Sequence, residues 1–164
     1  MESLIVEGKS TLKGRVRISG SKNISLPLIA ASLLTDDTVI IEDVPILQDV
    51  HNMLEIVSEI GAGIKFQNRN LYLDASTANV FTISHSLASQ MRASFLVLGP
   101  LLVRFGRAKI CSPGGCYIGS RPVDLHQKGL SALGVKFTLK NGCIEAHCNR
   151  LTGSHIYFDF PFIM

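Results

Sequence analysis

The amino-acid sequence predicts an α/β protein built from repeated units of strands and helices. The same order of elements occurs twice within the 164 residues, and apolar residues recur at helical and strand spacings in turn. An apolar fraction of 46% and a charged fraction of 18% are typical of a folded domain and exclude a disordered chain. The length is sufficient for one domain with a buried core.

Two short strands, residues 4–6 and 15–19, precede the first unit, which begins with a buried helix over residues 26–34. Gly61 and Gly63 lie where glycine commonly ends a helix. The remaining elements of this unit are a strand, a helix and two strands, predicted over residues 38–41, 49–60, 64–67 and 71–74.

The second unit repeats this order, with a turn at Asn141 and Gly142. Its elements are a helix, a strand, a helix and two strands, predicted over residues 89–103, 108–111, 124–133, 135–139 and 143–147. A third unit is expected to begin near residue 153, without its helices.

An insertion distinguishes the two units. Lys22 and Arg92 correspond at an offset of 92 − 22 = 70, whereas Gly61 and Gly134 correspond at 134 − 61 = 73. The second unit has therefore gained 73 − 70 = 3 residues, which we assign to the segment 112–122. Because the first unit folds without this insertion, we interpret the segment as a functional loop.

Cys116 and Arg121 are the reactive side chains of this loop, among three glycines that allow a ligand to approach the backbone. The arginine fork suits a phosphate or a carboxylate. The alternative is an ordinary surface loop with an unreactive thiol and a solvated arginine. Pro122 and Asp124 also have a purely structural explanation at a helix start, and His126 alone would be a packed or surface histidine.

Lys22 and Asn23 stand at a predicted helix start, and Arg92 holds the matching place in the second unit. Helix N-termini attract anions, so the two cations predict converging anion sites. Either residue alone would be an ordinary surface cation. Their equivalent places in the two units favour a functional role for both.

The four cysteines are expected to be free thiols, the three besides Cys116 being small core residues. A C-x4-C spacing also permits a zinc site, but that spacing is unusual for zinc pairs, and we expect no metal and no cofactor. Basic residues are scattered singly, which favours small anions over nucleic acid. The apolar run 95–103 is too short to cross a membrane, and no secretory signal is evident, so we expect a cytoplasmic protein without a membrane partner.

Several stretches of the chain form a specific pattern. The longest is the loop Pro-Gly-Gly-Cys-Tyr-Ile-Gly-Ser-Arg-Pro-Val-Asp-Leu-His at 113–126, and the shorter ones are Lys-Asn at 22–23, Met-Arg-Ala-Ser at 91–94, Leu-Gly-Pro-Leu at 98–101 and Arg-Phe-Gly at 104–106. Together they resemble the UDP-N-acetylglucosamine enolpyruvyl transferases, and the resemblance covers about residues 4–159. The related shikimate-pathway transferases carry Lys-Ser at the first place and lack the cysteine loop.

The resemblance implies the enolpyruvyl transferase fold, an inside-out α/β barrel, here truncated. Residues 1–21 would be strands that belong to the family's other domain, and residues 22–164 would form an incomplete domain with two units and the start of a third. The implied reaction moves the enolpyruvyl group of phosphoenolpyruvate to the 3-hydroxyl of UDP-N-acetylglucosamine and releases phosphate, as the first committed step of peptidoglycan synthesis.

The resemblance also implies roles for individual residues. Lys22, Arg92 and Arg121 would hold the phosphate and carboxylate of phosphoenolpyruvate, Asn23 would orient the substrates, and Cys116 would be the acid that protonates the methylene carbon. The UDP-sugar would lie along the last part of the loop, namely Arg121, Pro122, Val123, Asp124 and Leu125.

The sequence departs from the family after residue 161, where the family continues with a segment that touches the uridine. The aspartate base and further arginines belong to a domain that this chain does not include. Two hypotheses therefore stand: a piece of an active transferase that does not turn over alone, or a non-catalytic remnant that binds phosphate-bearing ligands weakly.

Overall fold

A computed structural model describes residues 3–8, 11–111 and 123–158. Within them the chain forms five α-helices, two 3-10 helices and seven strands. The helices are α1 Lys22–Ala31, α2 Gln48–Glu59, α3 His85–Ala88, α4 Leu98–Phe105 and α5 Asp124–Ala132, and the 3-10 helices are Ser32–Leu34 and Arg92–Val97. The strands are β1 Val39–Ile41, β2 Gly63–Gln67, β3 Asn70–Asp74, β4 Thr82–Ile83, β5 Arg107–Cys111, β6 Lys136–Lys140 and β7 Cys143–His147.

Two sheets confirm the duplication. The first has the order β1-β3-β2, and the second has the order β4-β5-β7-β6, so that β5, β7 and β6 repeat the arrangement of β1, β3 and β2. Every pair in both sheets is antiparallel except β4 with β5, which is parallel. The fold is therefore α/β with two related sheets, and no closed barrel forms within the described ranges.

The hairpins of the two units turn in the same way. Asn68 and Arg69 both have positive φ between β2 and β3, as do Asn141 and Gly142 between β6 and β7. Two consecutive residues with positive φ match the right-handed twist of the flanking strands, and asparagine and glycine accept this conformation most readily. The predicted turn at Asn141 is confirmed.

One continuous core joins the two units. It includes Ile29 of α1, Met53 of α2, Leu73 of β3, Leu101 of α4 and Ile110 of β5, each 0% exposed. Helix α1 packs on the 3-10 helix Arg92–Val97, so the seam between the units runs through the helical layer.

Arg104 ties α4 of the second unit to the first unit. Its guanidinium donates hydrogen bonds to the carbonyl oxygens of Leu33 at 3.1 Å and Ala75 at 2.6 Å, and it forms an ion pair with Asp36. The side chain is only 16% exposed, whereas that of Asp36 is 76% exposed. The two carbonyl contacts therefore dominate the effect of this arginine on stability.

Two predictions about secondary structure are wrong. Residues 4–6 and 15–19 are not strands; Leu4, Val6 and Ile18 are almost fully exposed, because no neighbouring strand pairs with them among the described residues. The single helix expected over 89–103 is instead a 3-10 helix followed by α4. Pro100 contributes to this change, since it has no N–H to donate to the carbonyl of Leu96.

The expectation of free thiols is wrong for one pair of cysteines. Cys111 of β5 lies directly opposite Cys143 of β7 in the ladder, and the two form a disulfide. Cys148 is buried and free, with its sulfur 3.9 Å from the carbonyl oxygen of Leu102, as expected for a small core residue. Spacing along the chain did not reveal the pair because 32 residues separate its members. The residues predicted to start a third unit, 153–158, form no regular element.

Candidate functional site

An open cleft of about 810 Å³ lies where the two units meet. Its lining comes from the starts of four helices: Lys22 and Asn23 of α1, Asp49 of α2, Arg92 of the second 3-10 helix and His126 of α5, with Val123 just before α5. Residues far apart in sequence thus share one surface.

Lys22 is the first residue of α1 and is held by an acid from α2. Its Nζ lies 2.7 Å from Oδ2 of Asp49, and both side chains are partly exposed. Close packing fixes the backbone just before it, since a Cβ on Gly20 would lie 2.0 Å from the carbonyl oxygen of Asp43. Only glycine fits there, so the start of α1 has a defined position over the cleft.

Arg92 is presented by a well-anchored turn. Met91 before it is extended, with φ −153°, and the 3-10 helix then begins at Arg92. Ser94 is fully buried and donates its hydroxyl to the carbonyl oxygen of Ala88 at 3.0 Å, and Phe95 is 4% exposed. The core therefore holds the backbone on both sides of the arginine.

His126 contacts this turn from α5. Its ring meets Phe95 edge-on, with centroids 5.5 Å apart and planes at 79°. Partial burial lowers the pKa of His126, the charge of Arg92 lowers it further, and Asp124 opposes both effects. The cleft thus favours a neutral imidazole beside a permanent cation.

The structure brings together part of the predicted site. Lys22, Asn23, Arg92 and Val123 line the cleft. Asp124 is an exposed residue in the first turn of α5, and Leu125 lines a neighbouring apolar groove. Three further predicted residues, Cys116, Arg121 and Pro122, lie outside the described residues.

Two lining residues were missed by the sequence analysis. Asp49 was used only to mark a helix start, and His126 was treated as a packed or surface residue. The only available signal for the Lys22–Asp49 pair was that a carboxylate stands at one predicted helix start and a lysine stands at another. Nothing along the chain indicated that Phe95 faces His126.

The cleft is suited to anions. Lys22 and Arg92 each stand at the start of a helical segment, where unpaired backbone N–H groups add positive potential. Among the described residues, no group of three or more His, Cys, Asp and Glu side chains is placed to hold a metal ion. The described helices include none with the length and apolar character needed to span a membrane.

Comparisons with known proteins identify the family of this chain. The family described as EPSP synthase (3-phosphoshikimate 1-carboxyvinyltransferase) matches residues 6–162. A protein of Carboxydothermus hydrogenoformans named UDP-N-acetylglucosamine 1-carboxyvinyltransferase 2 is 48% identical over 161 residues, which are 98% of this chain and 38% of that protein. UDP-N-acetylglucosamine 1-carboxyvinyltransferase 1 of Caldanaerobacter subterraneus is 49% identical over 96% of this chain and 38% of its own length.

Solved structures show the same fold. The enolpyruvyl transferase NikO of Streptomyces tendae superposes with a TM-score of 0.73 at 25% identity, covering 86% of this chain and 31% of its own. An EPSP synthase of Acinetobacter baumannii gives a TM-score of 0.62 at 15% identity, over 85% of this chain and 33% of its own. The present chain therefore spans well under half the length of these relatives, and it belongs to the enolpyruvyl (carboxyvinyl) transferase family.

Proposed function

We propose that this chain forms one wall of the active site of a UDP-N-acetylglucosamine 1-carboxyvinyltransferase. The observation that carries the proposal is that Lys22 and Arg92, 70 residues apart at equivalent places in two units, line a single cleft together with Asn23. The names of the most similar curated relatives, at 48% and 49% identity, support the choice of UDP-N-acetylglucosamine as acceptor.

In this proposal the cations bind phosphoenolpyruvate. Lys22 and Arg92, joined by Arg121, hold its phosphate and carboxylate and stabilise the charge of the tetrahedral intermediate. Asn23 donates or accepts hydrogen bonds that orient the two substrates. Asp49 keeps the Lys22 ammonium group in place, and its own negative charge is offset by that contact at 2.7 Å.

Cys116 supplies the proton in this proposal. The 3-hydroxyl oxygen of the sugar bonds to the central carbon of phosphoenolpyruvate while the thiol transfers its proton to the methylene carbon. The hydroxyl proton passes to a base. In the second step the new methyl group loses a proton to a base while the carbon–oxygen bond to phosphate breaks, so that the carbon–carbon double bond re-forms and phosphate leaves. An ordinary thiol, with a pKa of about 8.5, is still protonated near neutral pH and can act as this acid.

The sugar nucleotide would lie along Arg121, Pro122, Val123, Asp124 and Leu125. Val123 lines the cleft, and Asp124 opens α5 immediately beside it, which supports this placement. The reaction needs no cofactor or metal and takes only the two small-molecule substrates.

The proposed reaction is the first committed step of peptidoglycan synthesis, and so of cell-wall biogenesis, cell shape and cell division. We place it in the cytoplasm, where both substrates are made. The Cys116 thiolate would also attack epoxides such as fosfomycin. We further propose that residues 1–21 belong with the part of the fold that the other domain supplies, which fits their exposed apolar side chains.

The alternative is a non-catalytic remnant that binds phosphate-bearing ligands weakly. Both hypotheses predict no phosphate release by the isolated chain, because much of the substrate cleft belongs to another domain. Cys116-dependent phosphate release by the purified 164-residue chain would contradict that expectation.

Protection of Cys116 from alkylation tests the proposed site directly. Peptide mapping after brief treatment with iodoacetamide should show Cys116 reacting faster than Cys148, which is buried. Phosphoenolpyruvate should slow the reaction of Cys116 in the parent chain and in Arg107→Ala, but not in Arg92→Ala, because Arg92 is proposed to bind this substrate. Equal labelling of both cysteines, or equal protection in both variants, would refute the assignment.

A further inference from the structure

The outward face of the second sheet carries a cluster of cations that the sequence does not reveal. Strand register places Arg107 of β5 opposite His147 of β7, and His147 opposite Lys136 of β6. Lys109 lies one row further along β5, and Lys140 lies at the far end of β6. We call these five residues the basic face.

These side chains point away from the core. Residues directly opposite each other in an antiparallel ladder share one face of the sheet, and neighbours along a strand alternate. The intervening residues of β5 and β7, namely Ala108, Ile110, Ile144 and Ala146, are all buried, whereas Leu139 at the end of β6 is exposed. The basic face is consequently the solvent side of the sheet.

The face concentrates the charge of the whole chain. Arg107, Lys109, Lys136 and Lys140 give four positive charges, and Glu145 is the only acid at an outward position on β5, β6 and β7. Glu145 pairs with Lys109 at 2.9 Å. With His147 neutral, the net charge of the basic face is therefore 4 − 1 = +3. The formal charge of the entire chain is also +3, so the remaining residues sum to 3 − 3 = 0.

The first unit shows that the fold does not require this charge. The equivalent outward residues on its sheet include Ile40, Lys65, Tyr72 and Asp74. One cation and one acid give a net charge of zero there. Since the same backbone arrangement forms without the cations, their presence in the second unit calls for a separate explanation.

We propose that the basic face docks the protein on a membrane surface that contains anionic phospholipids. This proposal replaces the expectation, drawn from the sequence alone, of a protein without a membrane partner. The four permanent cations lie on β5 and β6, which flank β7 and are therefore about 10 Å apart, with successive outward residues about 7 Å apart along each strand. This is a patch on the scale of a few lipid head groups. No Phe or Tyr occupies an outward position on β5, β6 and β7, and the ring of Phe81 beside β5 is covered by the Arg107 guanidinium, 4.0 Å from its centroid. The face therefore presents charge rather than an open ring on which bases could stack. A flat, charged surface fits a planar anionic surface better than the grooves of a nucleic acid.

Vesicle co-sedimentation of the 164-residue chain tests the proposal. The chain should bind vesicles of phosphatidylcholine mixed with phosphatidylglycerol, should not bind phosphatidylcholine alone, and should be released as salt rises above about 0.15 M. Lys136→Glu removes one cation and adds one repelling charge, so binding should fall about thirtyfold, which corresponds to two charges at about 1 kcal/mol each.

Lys65→Glu is the matched control. It changes the net charge by the same amount, on the equivalent sheet of the first unit, and should bind like the parent chain. Circular dichroism establishes that both variants fold. Equal loss in the two variants, equal binding to uncharged vesicles, or tighter binding to duplex DNA than to mixed vesicles in the same buffer would each overturn the proposal.

Discussion

Replacing Arg104 by methionine should destabilise the whole fold, because this arginine joins the two units through buried acceptors. Methionine preserves the apolar stem but removes the donors that serve the carbonyl oxygens of Leu33 and Ala75. A buried carbonyl that loses its partner costs about 1–3 kcal/mol. The lost pair with exposed Asp36 adds little.

The free energy of unfolding should therefore fall by about 2–6 kcal/mol. A chain of this size loses about 2–4 °C of melting temperature per kcal/mol, so the midpoint should drop by about 4–24 °C. Urea denaturation followed by far-UV circular dichroism, with thermal scans of the same samples, measures both quantities.

Arg107→Met is the matched control, since it makes the same chemical change three residues away. Arg107 is exposed and stacks 4.0 Å from the ring centroid of Phe81, a contact worth about 0.5–1 kcal/mol at such a site. If Arg104→Met destabilises no more than Arg107→Met does, the two carbonyl contacts do not hold the units together.

Two further predictions concern the cleft. Gly20→Ala should lower the urea midpoint, because its Cβ would lie 2.0 Å from the carbonyl oxygen of Asp43. Gly99→Ala is the control and should not lower the midpoint, because its Cβ would meet nothing within 4 Å. Equal midpoints in the two variants would refute the close approach at Gly20. Burial and the charge of Arg92 lower the pKa of His126 below its ordinary 6.5. The unfolded chain therefore binds the proton more readily than the folded chain does. The free energy of unfolding should consequently fall as the pH drops from 6.5 towards the pKa of His126 in the folded chain. The pH series of urea midpoints should be flatter in His126→Gln; an unchanged slope would contradict the assignment.

Local chemistry made most of the fold predictable. The apolar spacing of α2 placed its ends within one residue of Gln48 and Glu59, and Gly61, at φ +102°, ends that helix as expected. Asn141 and Gly142 marked the β6–β7 turn, because asparagine and glycine readily adopt the positive φ that this turn requires. The equivalence of Lys22 and Arg92 followed from counting residues between such local markers.

Contacts between distant residues were not predictable. The pairing of Lys22 with Asp49, the disulfide of Cys111 and Cys143, and the parallel strand β4 all depend on how elements pack after they form. The two residues of β4 are too few to show any periodicity. The basic face was missed for the same reason, because strand register, rather than sequence neighbourhood, gathers its charges.

The seam between the units has a consequence for how this kind of site could originate. A single ancestral unit would have carried one cation at one helix start, with nothing facing it. Lys22 and Arg92 could line the same cleft only after two copies of the unit had joined side by side. If the proposed anion site is right, it is a property of the junction, and later changes could specialise either half without losing the other half's charge.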